Sequence, residues 1–333
     1  MGLAAILQIK EIYYPVLATF GVPANVMTIV ILSRGKCGLS KCVSVYMVGM
    51  AVADLVVMIF NVIVYLIFNY HFPYSFLSYT AVCKFVLYIT FATLDMSVWF
   101  TVTFTFDRFV AICCHDFKEK FCTKRIATTV MVTSSVLTCL KGVPMFFLYE
   151  AEQIINNVQW GCRTKAAVYT IPAWSVYGWL QSTSVVLLPF TLMALFNSLT
   201  VRRILLANRT RKGLRTKGSE IQSDPEVKNR RKSIILLFTV SGSFILLWLT
   251  SVGSFAATRL SSSVYYQGDY SNPGYIATET GYLLMYLSSC TNTCIYAATQ
   301  RKFREELRNV LKSPWKEFHD FLLIWSMLIQ TKK

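Results

Sequence analysis

Seven apolar stretches, separated by short polar segments, dominate the pattern of hydrophobic and polar positions along the chain. A membrane-spanning helix needs roughly 20 largely apolar residues, because its backbone polar groups must bond within the segment when no water is near. Each stretch is long enough, and the pattern therefore predicts an all-α membrane protein built as a seven-transmembrane helix bundle. We place the helices at 12–32, 43–69, 80–113, 126–148, 168–201, 233–258 and 275–298.

The polar segments divide the chain into a membrane domain at 1–298 and a cytoplasmic segment at 299–333. The segment between the fifth and sixth helices, about 202–232, is rich in Gly, Ser, Lys and Arg and predicts a flexible inner loop. The apolar stretch at 318–330 is too short to span a bilayer, and it is either a second interfacial helix or a variable tail. Directly after the last helix, an apolar stripe opposite a cationic face predicts a short amphipathic helix on the inner leaflet. The stripe consists of Phe303, Leu307, Val310 and Leu311.

Composition and charge support this interpretation and indicate the orientation. Of the 333 residues, 54% are hydrophobic and 15% charged, which is too apolar for an ordinary soluble domain and leaves no room for a separate catalytic one. Lys and Arg concentrate after the first, third and fifth helices and in the C-terminal segment. We therefore expect a multi-pass plasma membrane protein with an extracellular N-terminus and a cytoplasmic C-terminus. The first apolar stretch lacks a basic n-region, which predicts a retained signal anchor.

The net charge of +16 marks a cytoplasmic surface for acidic lipid or a partner protein. Binding to nucleic acid is not expected, because the basic residues lie on separate loops of a membrane bundle.

Two of the ten cysteines map to the outer face of the predicted bundle. These are Cys83 and Cys162, and we expect them to form a disulfide that pins the second outer loop to the top of the third helix. Most of the others fall within helices or on the inner side, so Cys37, Cys42 and Cys122 are expected to stay reduced. No metal-ligand spacing accompanies any of the cysteines, and we expect no structural metal.

The third helix connects the two ends of the bundle. Asp107-Arg108-Phe109 follows Cys83 after about 25 residues, a rise of about 37 Å that matches a bilayer with its headgroups. With this triplet, the chain resembles the rhodopsin-like (class A) G-protein-coupled receptors over nearly its whole length. The motifs that fall in family order are Asn25 in GVPANV, Asp54 in AVADL, Cys83, Asp107-Arg108-Phe109, Pro189, Trp248 in FILLWL, and Asn292 to Tyr296 in NTCIY.

The resemblance implies that residues 1–298 are a receptor domain for an extracellular small molecule or short peptide, and that the protein activates a heterotrimeric G protein. NTCIY followed by QRKFREEL is similar to orphan receptors related to those proposed to sense aromatic amino acids, which makes an aromatic amino acid one candidate ligand. Arrestin and a receptor kinase are further partners that the family implies, beside the lipid bilayer. The residues that the resemblance assigns to coupling and activation are Asp107, Arg108, Phe109, Asn292 and Tyr296.

In the family, the arginine at the position of Arg108 bonds its neighbouring acid at rest and meets the G protein when active. The alternative is an interfacial arginine whose charged end reaches toward the headgroups. That alternative leaves Asp107 unexplained, because an acid at this depth is costly unless it is paired.

Asp54 lies roughly halfway through the second helix. A carboxylate inside a membrane must be neutralised by a proton, a cation or hydrogen-bond donors. Polar residues at comparable depths on neighbouring helices resemble the family's buried cluster of sodium and water, so an allosteric sodium ion is the one cofactor that we expect. The alternative is a protonated Asp54 with a structural role. The cluster consists of Asn25, Asp54, Ser97, Ser289 and Asn292.

The chain departs from the family at several positions. The fourth helix lacks its usual tryptophan, and without the usual prolines kinks must come from weaker sites such as Ser241-Gly242-Ser243. Arg230 occupies a position where some relatives carry a glutamate that locks onto the arginine of the third helix, so we expect no such lock and high basal signalling. Thr250 and Thr293 stand where the family has prolines, and Asn197 stands where it has a tyrosine.

The expected ligand pocket lies in the outer half. Thr90 and Tyr286 stand at the positions of the amine-receptor aspartate and the opsin lysine, which disfavours biogenic amines and retinal. Asp95, one turn below Phe91, is a buried acid and a candidate ligand anchor, the alternative being a hydrogen bond that packs two helices. An aromatic pocket with one cation near its mouth suits a small aromatic zwitterion or a short peptide. The pocket residues are Thr90, Phe91, Leu94, Asp95, Tyr177, Gln181, Trp248, Phe255, Arg259 and Tyr282.

Two other classes of protein compete with a receptor. A transporter or channel for a small polar solute would need a continuous polar path or an internal repeat, and the chain has neither feature in its sequence. An intramembrane hydrolase would need paired aspartates or zinc-binding histidines. Because His71, His115 and His319 lie outside the predicted membrane segments, we expect no enzyme.

Overall fold

The computed structural model describes residues 5–72, 74–213, 225–260, 270 and 272–312, and this part of the chain forms a helical bundle. The prediction of a seven-helix bundle is confirmed. The long helices are α1 (Ala5–Ser33), α2 (Lys41–Val56, continued by the π-helical Val57–Phe68), α3 (Thr80–Cys113), α4 (Lys124–Gly142), α5 (Pro172–Ser182, a π-helical turn at Thr183–Leu187, and Leu188–Gly213), α6 (Pro225–Leu260) and α7 (Pro273–Thr299). A further helix, α8, spans 301–312.

Shorter elements connect the long helices. Single helical turns are found at Asn69–His71, Phe76–Ser78, Met145–Leu148 and Ala167–Thr170, and two turns at His115–Phe121. Between α4 and α5 lie the strands β1 (Tyr149–Glu150), β2 (Gln153–Ile155), β3 (Val158–Trp160) and β4 (Arg163–Thr164). β2 and β3 form an antiparallel hairpin, whose two-residue turn has Asn156 and Asn157 at φ 51° and 62°, the left-handed region that asparagine tolerates.

Six of the helical segments are long and apolar enough to cross a membrane, on length and composition. These are Ala5–Ser33, Lys41–Phe68, Thr80–Cys113, Lys124–Leu148, Pro172–Ala207 and Arg231–Ala257. The seventh helix, α7, is 27 residues long but carries more polar side chains. Several of these are buried inside the bundle, among them Ser288, Ser289 and Thr293, so their polarity does not face lipid.

α3 is the central helix, since it packs against α2, α4, α5 and α6. Two hydrophobic cores surround it. One core contains Phe104, Leu236 and Tyr296 at the end that holds Arg108, and the other contains Trp248 and Tyr286 in the opposite half. On α1, α2 and α7 the residues between the two cores are polar, and they form the layer around Asp54 described below.

The helices extend beyond the predicted membrane segments. α5 continues to Gly213 and α6 begins at Pro225, so helix covers much of the range 202–232 that we expected to be a loop. The thickness of the bilayer sets only the minimum length of a spanning helix. Arg, Lys and Leu are good helix formers, so they continue the helices beyond the membrane. Residues 214–224 and the apolar stretch at 318–330 lie outside the described residues.

α8 is the predicted amphipathic helix. Phe303 is fully buried, and its ring lies 6.0 Å, centroid to centroid, from that of Tyr296 at the end of α7. Leu307 and Val310 are partly buried beside the same core, whereas Leu311 is exposed. An Arg304 N–H donates to the carbonyl of Ala297 at 2.7 Å, which satisfies an otherwise open carbonyl at the end of α7.

Candidate functional site

Arg108 lies at one end of the bundle, which we call the Arg108 end. Its Nε donates to Asp107 Oδ2 at 2.9 Å, and its Nη2 pairs with the same carboxylate. Its Nη1 donates to Ser233 Oγ of α6 at 3.3 Å. Arg108 and Asp107 are both buried. The arginine is therefore paired with its own acid and bonded to α6 through a neutral hydroxyl, a contact that was not predicted from the sequence.

Two thiols contact Asp107 from neighbouring segments. Cys42 Sγ donates to Asp107 Oδ1 at 3.1 Å, and Cys122 Sγ donates to the Asp107 carbonyl at 3.7 Å. Burial, aided by the charge of Asp107, raises the pKa of Cys122 to about 11. Burial likewise raises the pKa of Cys37, which lies near Glu306. All three are free thiols, as expected.

A cavity of about 1820 Å³ opens beside Arg108. Residues from the ends of α3, α5 and α6, from α8 and from the segment after α1 form its walls. Basic side chains outnumber the acidic ones, Glu119 and Glu305, so the surface is cationic. The basic lining residues are Arg108, Lys118, Arg203, Lys232, Arg301 and Lys302.

The polar layer forms around Asp54, which is buried. Ser97 Oγ donates to Asp54 Oδ1 at 2.7 Å, and Asn292 Nδ2 donates to Asp54 Oδ2 at 2.8 Å. Asn25 Nδ2 donates to the Ser289 carbonyl at 2.9 Å. The Ser289 side chain also bonds Asp54, so the structure brings all five predicted cluster residues together, with Asn25 connected through the Ser289 carbonyl.

The oxygen atoms of this layer suit a sodium ion. Asn25 Oδ1 is buried and has no hydrogen-bond partner in the described part of the chain. Together with the Asp54 carboxylate and the Ser97 hydroxyl, it offers the hard oxygen ligands that such cations prefer. In the same part of the chain, no group of three His, Cys, Asp or Glu side chains lies together as a metal site.

Thr293, at the position of a family proline, bonds α7 to α1. Thr293 Oγ1 donates to the Ala24 carbonyl at 3.1 Å and lies 2.7 Å from Thr28 Oγ1. Because a hydroxyl has a single proton, Thr28 is the donor of the second bond. A proline at this position would make neither bond. Tyr296, one turn further, has a buried hydroxyl with no hydrogen-bond partner among the described residues.

Asn197, at the position of a family tyrosine, bonds α5 to α6. Asn197 Nδ2 donates to Ser241 Oγ at 2.9 Å, and Ser241 Oγ donates to the Leu237 carbonyl at 2.7 Å. The Ser241-Gly242-Ser243 segment that we expected to kink is thus a contact point between two helices.

Trp248 lies where three helices meet. Its Nε1 donates to Ser288 Oγ of α7 at 3.0 Å. Its ring stacks on that of Phe244 with centroids 4.9 Å apart, and the ring of Phe190 on α5 lies 6.5 Å away. Phe244 and Trp248 share a face that points into the bundle, and these contacts link α5, α6 and α7.

Asp95 forms an ion pair that was not predicted from the sequence. Its carboxylate pairs with Nζ of Lys141 near the end of α4. Lys141 Nζ also donates to Ser184 Oγ at 2.6 Å, and the Tyr177 hydroxyl donates to the Lys141 carbonyl at 3.1 Å. The available signal was a lysine inside the apolar stretch 126–148, where an unpaired charge would be costly.

The structure brings some of the expected pocket residues together and not others. Tyr177 lies beside Lys141, and Gln181 is connected to Lys141 through Ser184, whose hydroxyl donates to the Gln181 carbonyl at 2.9 Å. Thr90 instead lies against α2, where Asn61 Nδ2 donates to its carbonyl at 3.5 Å.

The remaining pocket residues differ in their surroundings. Leu94 packs with Trp248 in one core, Phe91 and Phe255 are partly buried, and Tyr282 is exposed. The side chain of Arg259 lies outside the described residues, as does that of Arg230.

The opposite end, which we call the disulfide end, carries the Cys83–Cys162 bond that the sequence predicted. Beside it, the Gly161 N–H donates to the Ser78 carbonyl at 2.7 Å, and the Thr80 hydroxyl donates to the Gly161 carbonyl at 2.9 Å. The β2–β3 hairpin is therefore fastened to the start of α3.

Comparison with known proteins gives a family for this arrangement. The family model described as 7 transmembrane receptor (rhodopsin family) matches residues 24–296. A probable C-C chemokine receptor type 3 from Mus musculus is 23% identical over 304 residues, which cover 89% of this chain and 76% of the relative. Chemerin-like receptor 2 from Mus musculus is 22% identical over 317 residues, 91% of this chain and 80% of the relative. The G-protein coupled estrogen receptor 1 from Homo sapiens is 26% identical over 275 residues, 79% of this chain and 64% of the relative. The chain belongs to the rhodopsin family of seven-transmembrane receptors, whose members are not enzymes, and it is a multi-pass plasma membrane protein.

Proposed function

We propose that this receptor binds an extracellular small molecule or short peptide and activates a heterotrimeric G protein. The observation that carries the proposal is the position of Arg108, which is buried in the wall of a cationic cavity and held by Asp107 and Ser233. A hydrogen bond between Arg108 and a hydroxyl holds α3 to α6 less strongly than an ion pair would. Separation of α6 from Arg108 would therefore open the cavity to a partner at small cost.

We further propose that the disulfide end is extracellular and the Arg108 end cytoplasmic. The basic lining of the cavity supports this orientation, because Lys and Arg concentrate on the cytoplasmic side of membrane proteins. An extracellular disulfide is chemically stable, whereas a cytosolic one would be reduced. In this orientation, arrestin and a receptor kinase would reach the same cytoplasmic face.

The proposed ligand is aromatic and carries charge. The outer half of the bundle combines the Asp95–Lys141 ion pair with aromatic side chains such as Tyr177 and Trp248. Trp248 contacts Phe244, Phe190 and Ser288, so a ligand that shifts it would change the packing of α5, α6 and α7. A ligand acts through its different affinity for two such arrangements. An aromatic amino acid and a short peptide both satisfy these requirements.

Asp54 is proposed to hold an allosteric sodium ion, with Ser97, Asn25, Ser289 and Asn292 around it. A cation here would neutralise the buried carboxylate. Within the chain itself, Ser97 and Asn292 orient the two carboxylate oxygens through hydrogen bonds.

The test measures guanine-nucleotide exchange in membranes that contain the full-length receptor and a panel of heterotrimeric G proteins. Wild type should raise exchange above that of receptor-free membranes, and Arg108→Ala should abolish the increase because the cavity loses its central cation. Arg163→Ala is the matched control, since Arg163 is an exposed arginine at the disulfide end that pairs with Glu150. Equal exchange for wild type and Arg108→Ala, at equal surface expression, would refute the proposal.

A further inference from the structure

The Asp95–Lys141 ion pair joins α3 to α4 inside the apolar part of the bundle. The Asp95 side chain is 1% exposed and that of Lys141 28%, and the helical segment Lys124–Leu148 that carries Lys141 is a candidate membrane span. Two charges in such a place are costly, and loss of either partner leaves the other uncompensated. Any ligand that contacts this pair must therefore leave both charges neutralised.

Both members of the pair have capacity for further bonds. A carboxylate accepts about four hydrogen bonds, and the contacts of Asp95 with Lys141 and Trp99 use only part of that number. The Lys141 ammonium has three N–H groups, of which Asp95 and Ser184 take two in the described part of the chain.

An unused acceptor lies one helical turn before Ser184, the residue that Lys141 bonds. Gln181 Oε1 is buried without a hydrogen-bond partner among the described residues. The backbone of Gln181 is connected to the pair through Ser184, which donates to the Gln181 carbonyl and accepts from Lys141. The unused acceptor capacity of Asp95 and of the nearby Gln181 side chain can therefore take a donor such as an ammonium group.

We propose that Lys141 is a second charged ligand-binding residue, and that the Asp95–Lys141 pair selects a zwitterion. The ligand carboxylate binds Lys141 Nζ, and the ligand ammonium binds the Asp95 carboxylate and the Gln181 amide oxygen. This inference rests on the proposed function and narrows its ligand class. Tyr177, whose hydroxyl bonds the Lys141 carbonyl, places an aromatic ring beside the charges, so the zwitterion carries an aromatic group.

The selection follows from counting charges. A zwitterion brings one charge of each sign, so the inserted ligand leaves four charges in two neutral pairs. A ligand with only an ammonium or only a carboxylate leaves one buried charge in excess. We expect such ligands to be at least about 30-fold weaker, because truncation of one partner of a buried charge pair typically costs 2–5 kcal/mol and each 1.4 kcal/mol is tenfold.

The test compares three probes that share the indole ring and its two-carbon chain: tryptophan, tryptamine and indole-3-propionate. Potency is measured by nucleotide exchange in wild type, Lys141→Met and Asp95→Asn. Wild type should prefer tryptophan at least about 30-fold over both other probes. Lys141→Met should respond best to tryptamine, and Asp95→Asn best to indole-3-propionate, because each variant leaves one charge for the ligand to neutralise.

A purely structural ion pair would not give this reciprocal change of preference. The double variant Asp95→Asn/Lys141→Met removes both charges and keeps similar side-chain lengths, so it controls for misfolding of the single variants. The double variant should reach the cell surface. Its potencies for the three probes should agree within about threefold, a difference below 0.7 kcal/mol. Retention of the tryptophan preference in this variant, or a wild type that does not bind tryptophan, overturns the inference.

Binding of tritiated tryptophan to the purified full-length receptor gives the same comparison without a G protein. Binding that depends on Lys141 supports the inference even where nucleotide exchange does not respond to Arg108→Ala. Tryptophan binding therefore tests the ligand site, and nucleotide exchange tests G-protein coupling, so that either one can fail without the other.

Discussion

Single side chains at the Arg108 end satisfy the hydrogen bonding and the charge of Asp107. Cys42 and Cys122 both act as S–H donors to this residue, and Arg108 supplies its counter-charge. A protonated thiol adds a weak hydrogen bond without adding charge. The chain thus surrounds its acid with one cation and neutral donors, which keeps Asp107 available to Arg108.

The raised pKa of Cys122 predicts slow alkylation. At pH 7.4 the thiolate fraction should be about 100-fold lower than for an ordinary thiol with a pKa near 9, because each pH unit is tenfold and only the thiolate reacts. The rate is measured by iodoacetamide labelling and peptide mass spectrometry, and it should rise tenfold per unit as pH approaches 11. Because the folded state favours the neutral form of Cys122, this thiol stabilises the fold below pH 9. The contribution is lost as the pH rises through 11.

The same peptide labelled after unfolding in guanidinium is the control, because solvent exposure returns Cys122 to its ordinary pKa. Equal labelling rates in the folded and unfolded receptor at pH 7.4 would contradict this prediction.

At the scale of helices, hydroxyl and amide side chains replace family prolines and aromatic residues as contacts between neighbours. Thr293 bonds α7 to α1 and Asn197 bonds α5 to α6. Pro189 remains, and the π-helical turn Thr183–Leu187 ends two residues before it. A proline lacks the N–H that would bond back to residue 185, so the wider turn accommodates the missing bond.

Substitution of Thr293 tests the α1–α7 contact. Thr293→Val keeps the shape of the side chain and removes both hydrogen bonds, which leaves the Thr28 hydroxyl and the Ala24 carbonyl less well satisfied. We expect a loss of about 1–3 kcal/mol in the free energy of unfolding, measured by thermal unfolding of the purified receptor. Thr299→Val is the matched control on the same helix, since in the described part of the chain the Thr299 hydroxyl bonds only to the Ile295 carbonyl of its own helix. Equal melting temperatures for the two variants would contradict the assignment.

At the scale of the whole molecule, the bundle has two functional ends joined by α3. The disulfide end fastens a hairpin to the start of α3, and the Arg108 end opens into the cationic cavity. Between them the polar layer around Asp54 separates two hydrophobic cores. Buried polar groups bonded across several helices couple the positions of those helices, because movement of one breaks bonds to the others.

The strength of the α3–α6 contact predicts the level of basal signalling. Ser233→Asp places a carboxylate opposite Arg108, and a charge-assisted bond should exceed the present hydrogen bond by about 1–1.5 kcal/mol. We therefore expect about tenfold lower basal nucleotide exchange than in wild type. Ser233→Asn, which has the same shape and no charge, should stay near the wild-type level. A Ser233→Asp receptor as active as Ser233→Asn would show that this contact does not restrain α6.

The amino-acid sequence by itself determined the elements and their order. Apolar runs of spanning length predict the helices because the bilayer imposes a minimum length, and the range 80–113 for α3 agrees with the observed Thr80–Cys113. Cys83 and Cys162 could be paired from their position along the chain, and Phe244 and Trp248 share a face because they are one helical turn apart. All of these are local properties or consequences of topology.

Only the tertiary structure decided which side chains meet across helices. Lys141 pairs with Asp95, Ser233 bonds Arg108, and Thr28 bonds Thr293, although none of these partners was predicted. Such contacts depend on the rotation and depth of each helix, which packing against several neighbours sets together. Apolar composition carries little information about either quantity, since lipid-facing and core-facing positions are both apolar. For this reason the sequence placed Asp95 in the bundle, and only the fold supplied its counter-charge.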